Sequence, residues 1–198
     1  METDQFLGIN CIYTSEYKAG SSKFYGFLFP VKNSTDFEMK IKEYKEEFAD
    51  ATHVCSACVI GLQRDYKKFS DDGEPSNSSG RPILNALLSN NLTFIGCAVV
   101  RYYGGKKLGI PGLIDAYGGA AMECIDKAEI VTKIVSSTVE CQIPLATSYL
   151  LYNYLARNKH YTYNSAGNKF EIECSQSMTA SLRTDLNKID NLVILNED

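Results

Sequence analysis

Residues 71–84 read Asp71-Asp72-Gly73-Glu74-Pro75-Ser76-Asn77-Ser78-Ser79-Gly80-Arg81-Pro82-Ile83-Leu84. The first half is turn chemistry, in which Asp, Gly, Pro and Ser each favour a tight backbone reversal. The second half predicts a short helix from about Pro82 to Asn90, because the missing N–H of proline costs nothing in a first helical turn. Upstream, residues 63–80 hold almost no apolar side chains, which predicts a long loop of a length often found at functional sites. On either side, Val54–Leu62 and Leu92–Tyr103 are apolar runs that predict buried strands. The stretch is therefore a polar loop and a helix set between two central strands.

Further out, Ile9–Tyr13 and Phe24–Phe29 predict strands, joined through the turn-forming Lys18-Ala19-Gly20-Ser21-Ser22. Thr35-Asp36-Phe37-Glu38 has the form of a capping box, with Phe37, Ile41, Tyr44 and Phe48 on one helical face. After the glycine-rich turn Gly104–Gly112, a helix from about Pro111 to Lys127 places Leu113, Ile114, Tyr117, Ala121, Cys124 and Ile125 inward. Gly118 and Gly119 lie inside it, at about 1 kcal/mol each relative to Ala, so a close backbone approach to the sheet is expected.

The pattern restarts beyond residue 130. Strands are expected at Val139–Ile143, Tyr161–Tyr163, Lys169–Cys174 and Leu192–Leu195, with helices at Thr147–Asn158 and Met178–Lys188. The order βαββαβ is the ferredoxin-like arrangement. The fold class read is α+β in two domains, residues 1–134 and 139–198, with the boundary between about 130 and 138.

The chain has 198 residues, 44% hydrophobic and 22% charged, an ordinary globular balance. No apolar run approaches the roughly 20 residues that span a bilayer. Met1–Gln5 lacks the basic start of a signal peptide, so a cytoplasmic location is expected, away from membranes. The net charge of −4 disfavours nucleic-acid binding through bulk positive charge but leaves a local patch open. Seven scattered cysteines predict free thiols rather than a disulfide framework.

Three stretches are candidates for chemistry. In His53-Val54-Cys55-Ser56-Ala57-Cys58, strand alternation puts His53 and Cys55 on one face and Cys58 on the other. A Cys–His nucleophile pair needs the two side chains to converge, and buried inert thiols are the alternative. A single C-x-x-C without a second pair does not make a structural zinc site, and no metal or cofactor is expected. Asp71, Asp72 and Glu74 either bind Mg²⁺ or pair with Arg81 and Arg101 and pin the loop.

The third stretch is Arg101-Tyr102-Tyr103-Gly104-Gly105-Lys106-Lys107-Leu108-Gly109, which lacks the Lys-Ser/Thr ending of a Walker motif. Residues 64–107 carry seven Lys/Arg against four Asp/Glu, a local excess of +3. Tyr66, Phe69, Tyr102 and Tyr103 lie among those charges and either stack bases or pack beneath the loop. The helix start near Pro82 is a candidate anion or phosphate site. Its donors would be the amides of Ile83 and Leu84, the hydroxyls of Ser78 and Ser79, and the cations Arg81 and Lys106. The opposing reading is that Glu74 or Asp72 caps the helix itself.

These three stretches, with Gly112-Leu113 and Ala116-Tyr117-Gly118, resemble the IMPACT family, known also by its YigZ members, from about Ser22 to Gly118. The usual family loop is Asp-Asp-Gly-Glu-Pro-Ser-Gly-Thr-Ala-Gly-Arg-Pro. Here Asn77 stands for Gly and Ser78-Ser79 for Thr-Ala, while Pro111 and Asp115 replace a usual Gly and a usual basic residue. The resemblance implies an N-terminal α/β sandwich similar to domain IV of elongation factor G, and a ferredoxin-like second domain. It also implies a role in translation, since eukaryotic members regulate it. Two function classes follow. One is a module that binds RNA or the ribosome through Asp72, Glu74, Ser76, Ser78, Ser79, Arg81, Arg101, Tyr102, Lys106 and Lys107. The other is a hydrolase or phosphate-handling enzyme using the acidic loop 71–76 and His53, with Cys55 beside His53 as a further candidate functional residue.

Overall fold

The computed structural model describes residues 4–196. The chain divides into two compact units. One is Phe6–Lys133; the other takes up the chain from Ile134, together with Asp4 and Gln5. The described residues form an α+β protein of antiparallel sheets with five α-helices.

The first unit is built on a five-stranded sheet of β2 (Tyr13–Ala19), β3 (Ser22–Pro30), β4 (His53–Ile60), β5 (Tyr66–Ser70) and β6 (Ile95–Tyr102). Its order is β2-β3-β6-β4-β5 and every pair is antiparallel. Alternation along the strands divides the apolar residues between two faces. Phe24, Leu28, Cys55, Ala57, Val59, Cys97 and Val99 face α2 (Gly80–Ser89) and α3 (Gly109–Lys127). Phe29, Val54, Cys58, Ala98 and Val100 face α1 (Ser34–Glu47). The apolar runs of β4 and β6 are near-continuous because both of their faces are covered. Burying each of the Val, Leu and Phe side chains on these two faces contributes roughly 1.5–3 kcal/mol.

Several local expectations are corrected. The cap of α1 is Asn33, whose side chain accepts from the Asp36 amide at 2.9 Å, while Asp36 accepts from the Lys32 amide at 3.1 Å. The expected capping box at Thr35 therefore lies two residues too late. Of the expected strand Ile9–Tyr13 only Tyr13 is in one, as the first residue of β2; residues 9–12 link β1 (Gln5–Gly8) to β2, and Ile9 is apolar because it is buried in the core. The long loop contains β5, an edge strand held by its pairing with β4, with Phe69 alone packed on the core. Ile114 is 41% exposed rather than inward. Helix α2 begins at Gly80, two residues before Pro82. Of the two helical glycines, Gly119 makes the close approach, because a Cβ there would meet the Tyr17 ring at 2.8 Å. Gly118 has ordinary room.

The second unit's sheet has β8 (Ser136–Gln142), β9 (Thr162–Ala166), β10 (Lys169–Ser175) and β11 (Val193–Ile194), in the order β11-β8-β10-β9. With α4 (Ser148–Arg157) and α5 (Thr179–Leu186) the element order is βαββαβ. Val139, Cys141, Phe170, Ile172 and Cys174 bury one face against Leu151, Leu155, Leu182 and Leu186. The boundary region is not a bare linker, since β7 (Val131–Ile134) pairs with β1.

Candidate functional site

The 71–80 loop folds back across β4 and is held at each of its three acids by a different structural bond. Asp71 caps α2. One carboxylate oxygen accepts from the Ser79 hydroxyl and the Gly80 amide, both at 2.8 Å, and from the Ser79 amide at 3.1 Å. The other accepts from the Asn77 amide at 2.8 Å. Partial burial works to raise the Asp71 pKa, but these hydrogen bonds outweigh it and hold the carboxyl below its ordinary value. Asp72 accepts from the Val54 amide at 2.7 Å and pairs with Lys45.

Glu74 is the hub. Its Oε1 lies 2.5 Å from Arg101 Nη1, accepts from the Tyr117 hydroxyl at 2.7 Å, and stands 4.0 Å from His53 Nε2. The Glu74 and Arg101 side chains are 4% and 7% exposed. The Arg101 guanidinium lies 5.6 Å from the Phe24 ring and 5.3 Å from that of Tyr103, so two aromatic faces replace part of its lost hydration. Ser22 Oγ accepts from Arg101 Nη2 at 3.5 Å and from the Gly104 amide at 3.2 Å.

His53 Nδ1 is 2.7 Å from the Asp72 carbonyl, which can only accept, so Nδ1 carries the proton and Nε2 faces Glu74. Cys55 lies on the same face of β4 as His53, as strand alternation requires, but its Sγ donates to the Asp71 carbonyl at 3.1 Å. Burial pushes its pKa up to about 12. Burial and this hydrogen bond both favour the protonated thiol over the thiolate. Burial likewise drives the Tyr117 hydroxyl far above its ordinary range.

The three stretches therefore meet at Glu74, which joins β4, β6 and α3. The loop is pinned through Arg101, but Arg81 takes no part. Arg81 is exposed on α2, 5.8 Å from the Phe69 ring, and the Asp71 carboxylate is occupied by the Ser79, Gly80 and Asn77 donors instead. The helix start is not free for an anion. The Ile83 amide bonds the Ser79 carbonyl at 3.2 Å, and the capping acid is Asp71 rather than Asp72 or Glu74. Ser78 and Ser79 are fully buried, with Ser78 donating to the Pro75 carbonyl at 2.6 Å, so neither hydroxyl faces solvent. Ser76 accepts from the Asn77 side chain at 3.1 Å.

Tyr102 donates to Asp50 at 2.8 Å, and its ring packs edge-on to Tyr25. Lys106 and Lys107 are exposed and form no ion pair among the described residues. No group of three or more His, Cys, Asp or Glu among the described residues is arranged to hold a metal. Tyr117 and Ser22 are site residues that the sequence reading did not assign. Tyr117 carried the signals of an inward helical position and of a stretch shared with the IMPACT pattern, and Ser22 only that of lying where the resemblance begins; neither signal named a partner.

Every residue of this network lies within 20–125, the span that matches the family model described as the Impact N-terminal domain. Over 112 residues the chain is 38% identical to the IMPACT family member YvyE of Bacillus subtilis, covering 57% of this chain and 52% of that one. Over 106 residues it is 37% identical to the IMPACT family member YigZ of Escherichia coli, covering 52% of each. The matches thus span about half the length of these relatives. A solved structure described as that of a hypothetical protein is 24% identical, covers 100% of this chain and 98% of that one, and superposes with a TM-score of 0.72. That likeness speaks to the fold alone. No helix among the described residues is long and apolar enough to cross a membrane. With the family domain matched over more than half of this chain and the motifs of that domain converging on Glu74, the chain belongs to the IMPACT family.

Proposed function

We propose that this protein is a cytoplasmic binding module that contacts RNA, free or within the ribosome, and so acts on translation. The observation that carries this reading is the commitment of the loop's acids. Asp71 caps a helix, Asp72 holds β4 and Lys45, and Glu74 holds Arg101 and Tyr117. The cations of the same segment are not so spent, since Arg81, Lys106 and Lys107 face solvent without a carboxylate partner among the described residues. A pre-organised loop framed by exposed cations and tyrosines suits a phosphate backbone better than it suits catalysis. A hydrolase built on the acidic loop and His53 would need a carboxylate or imidazole free for substrate, whereas Asp71, Asp72 and Glu74 are each taken up by structural partners and His53 Nδ1 is bonded to the Asp72 carbonyl. On fold, the first unit is best read as similar to domain IV of elongation factor G. The second, with its βαββαβ order, is best read as ferredoxin-like.

The test is ribosome and RNA co-sedimentation of the wild type and an Arg81→Ala/Lys106→Ala/Lys107→Ala variant, with salt varied. Arg101 is left intact because it supports the fold. Wild-type binding should fall with log salt with a slope of about −2 to −3, as expected for roughly three neutralised phosphates. Loss of binding in the triple variant supports the reading. Wild-type protein that fails to associate even at low salt overturns it.

A further inference from the structure

The outer face of the first unit's sheet is only half covered. Helix α1 packs over Phe29, Val54, Cys58, Ala98 and Val100 and stops at Phe48, short of β2. Beside it lies an open groove of about 930 Å³, lined by Lys23, Tyr25, Phe27, Phe48, Tyr102 and Tyr103, with Lys127 also on its lining. That volume is of the order of a small-ligand cleft, about 300–1,000 Å³.

The register explains the character of the groove. Across β2 and β3, Lys18 stands directly opposite Lys23, Glu16 opposite Tyr25 and Thr14 opposite Phe27; across β3 and β6, Lys23 stands opposite Tyr102. Like charges directly opposite one another on one sheet face are destabilising. Glu16 offsets Lys18 at 3.5 Å, and Lys23 has no ion pair among the described residues. Asp50, the other acid beside the groove, accepts from the Tyr102 hydroxyl. Apart from Glu16, which also lines the groove and is paired with Lys18, the lining combines aromatic rings, which offer π-faces, with Lys23 and Lys127, which have no carboxylate partner among the described residues. Single-stranded nucleic acid supplies the complement, bases for the rings and phosphates for the lysines. A duplex does not, because its bases are already stacked and its grooves present the wrong shape.

We propose that this groove takes a short single-stranded RNA segment, with bases stacked on Tyr25 and Tyr102 and phosphates at Lys23 and Lys127. The proposal rests on the RNA-binding reading above and moves the main contact from the 101–109 turn to the open sheet face.

The test uses the full chain and a labelled single-stranded RNA dodecamer in a fluorescence anisotropy titration, with a second oligonucleotide carrying 2-aminopurine. Thermal unfolding accompanies every variant. Tyr102→Ala should weaken binding roughly tenfold and abolish 2-aminopurine quenching, while Tyr102→Phe, which keeps the ring, should bind like the wild type. Lys23→Glu, at an exposed position, should weaken binding without loss of stability. Wild-type affinity in both Tyr102→Ala and Lys23→Glu, with binding lost in Lys106→Ala/Lys107→Ala, overturns the groove and leaves the RNA reading standing. Equal affinity for duplex RNA also overturns the groove. No binding of any RNA by the wild type overturns both.

Discussion

The Glu74 carboxylate and the Arg101 guanidinium form a buried ion pair at 2.5 Å, and the same Glu74 oxygen accepts from the Tyr117 hydroxyl. The contact joins a surface loop to a central strand and to the long helix. It converts a stretch of turn-forming sequence into a fixed structure, because neither charge has water to return to while the fold is intact.

Removing one partner should therefore cost far more than removing an exposed pair. Glu74→Gln leaves Arg101 charged and nearly buried, for which a loss of about 3–5 kcal/mol is expected. Lys45→Ala breaks a pair whose side chains are 46% and 25% exposed, and should cost no more than about 1 kcal/mol. Urea unfolding of the two variants, measured at equal ionic strength, checks the contrast. Similar losses in both would mean that burial does not set the energetics of this loop.

Asp71 makes stability depend on pH in a definite direction. Its folded-state pKa lies below the unfolded value near 3.8, so the carboxylate stabilises the native state fully above that value. The contribution is lost as pH falls through the lower, folded-state pKa. Asp71→Ala should cost about 1–2 kcal/mol at pH 7, the scale of a lost helix cap. The gap to wild type should narrow at pH 3 and below. A gap that is unchanged between pH 7 and pH 2.5 would show that the charge contributes nothing.

Much of this arrangement was legible in the residues, and the parts that were not share a cause. The shared face of His53 and Cys55 followed from strand alternation, and a pinning contact to Arg101 followed from charge. Three acids in four positions left open which one caps the helix. Asp71 does so because the reversal at Asp72 and Gly73, at φ of 45° and 90°, turns its side chain back onto the Ser79 and Gly80 amides. Tyr117 was legible as an inward residue but not as a partner of Glu74, 43 residues away. Strand β5 was missed because an edge strand gains its hydrogen bonds from β4 while burying little, which leaves a weak apolar pattern.

Thiol chemistry separates the structural reading of Cys55 from a catalytic one. With its pKa pushed up to about 12, Cys55 holds its proton at pH 8. Cys11 is exposed, and the other six cysteines are buried. A native protein treated at pH 8 with an aromatic disulfide reagent should react rapidly at one thiol, and at all seven after denaturation. Peptide mapping should place the first modification on Cys11. Rapid labelling of Cys55 in the folded protein would restore the enzyme reading.

Adjacent glycines in the 101–109 turn should fail for different reasons. A Cβ on Gly104 would lie 1.9 Å from the Ser21 carbonyl oxygen, which is backbone and cannot swing aside. The same residue's amide bonds Ser22 Oγ, which also accepts from Arg101, so displacing it disturbs the support of the buried ion pair. Gly105 has φ of +86° with open space around the missing Cβ, so alanine there meets only the conformational penalty of about 1–2 kcal/mol. Gly104→Ala should then cost more than Gly105→Ala, by overpacking of about 1–3 kcal/mol together with the strain passed to Arg101. Combining each with Glu74→Gln distinguishes the routes. Gly105→Ala should add to the Glu74→Gln loss, whereas Gly104→Ala should add less than its own cost, because the contact it strains is already broken. Full additivity of Gly104→Ala with Glu74→Gln would show that the turn and the buried pair are independent.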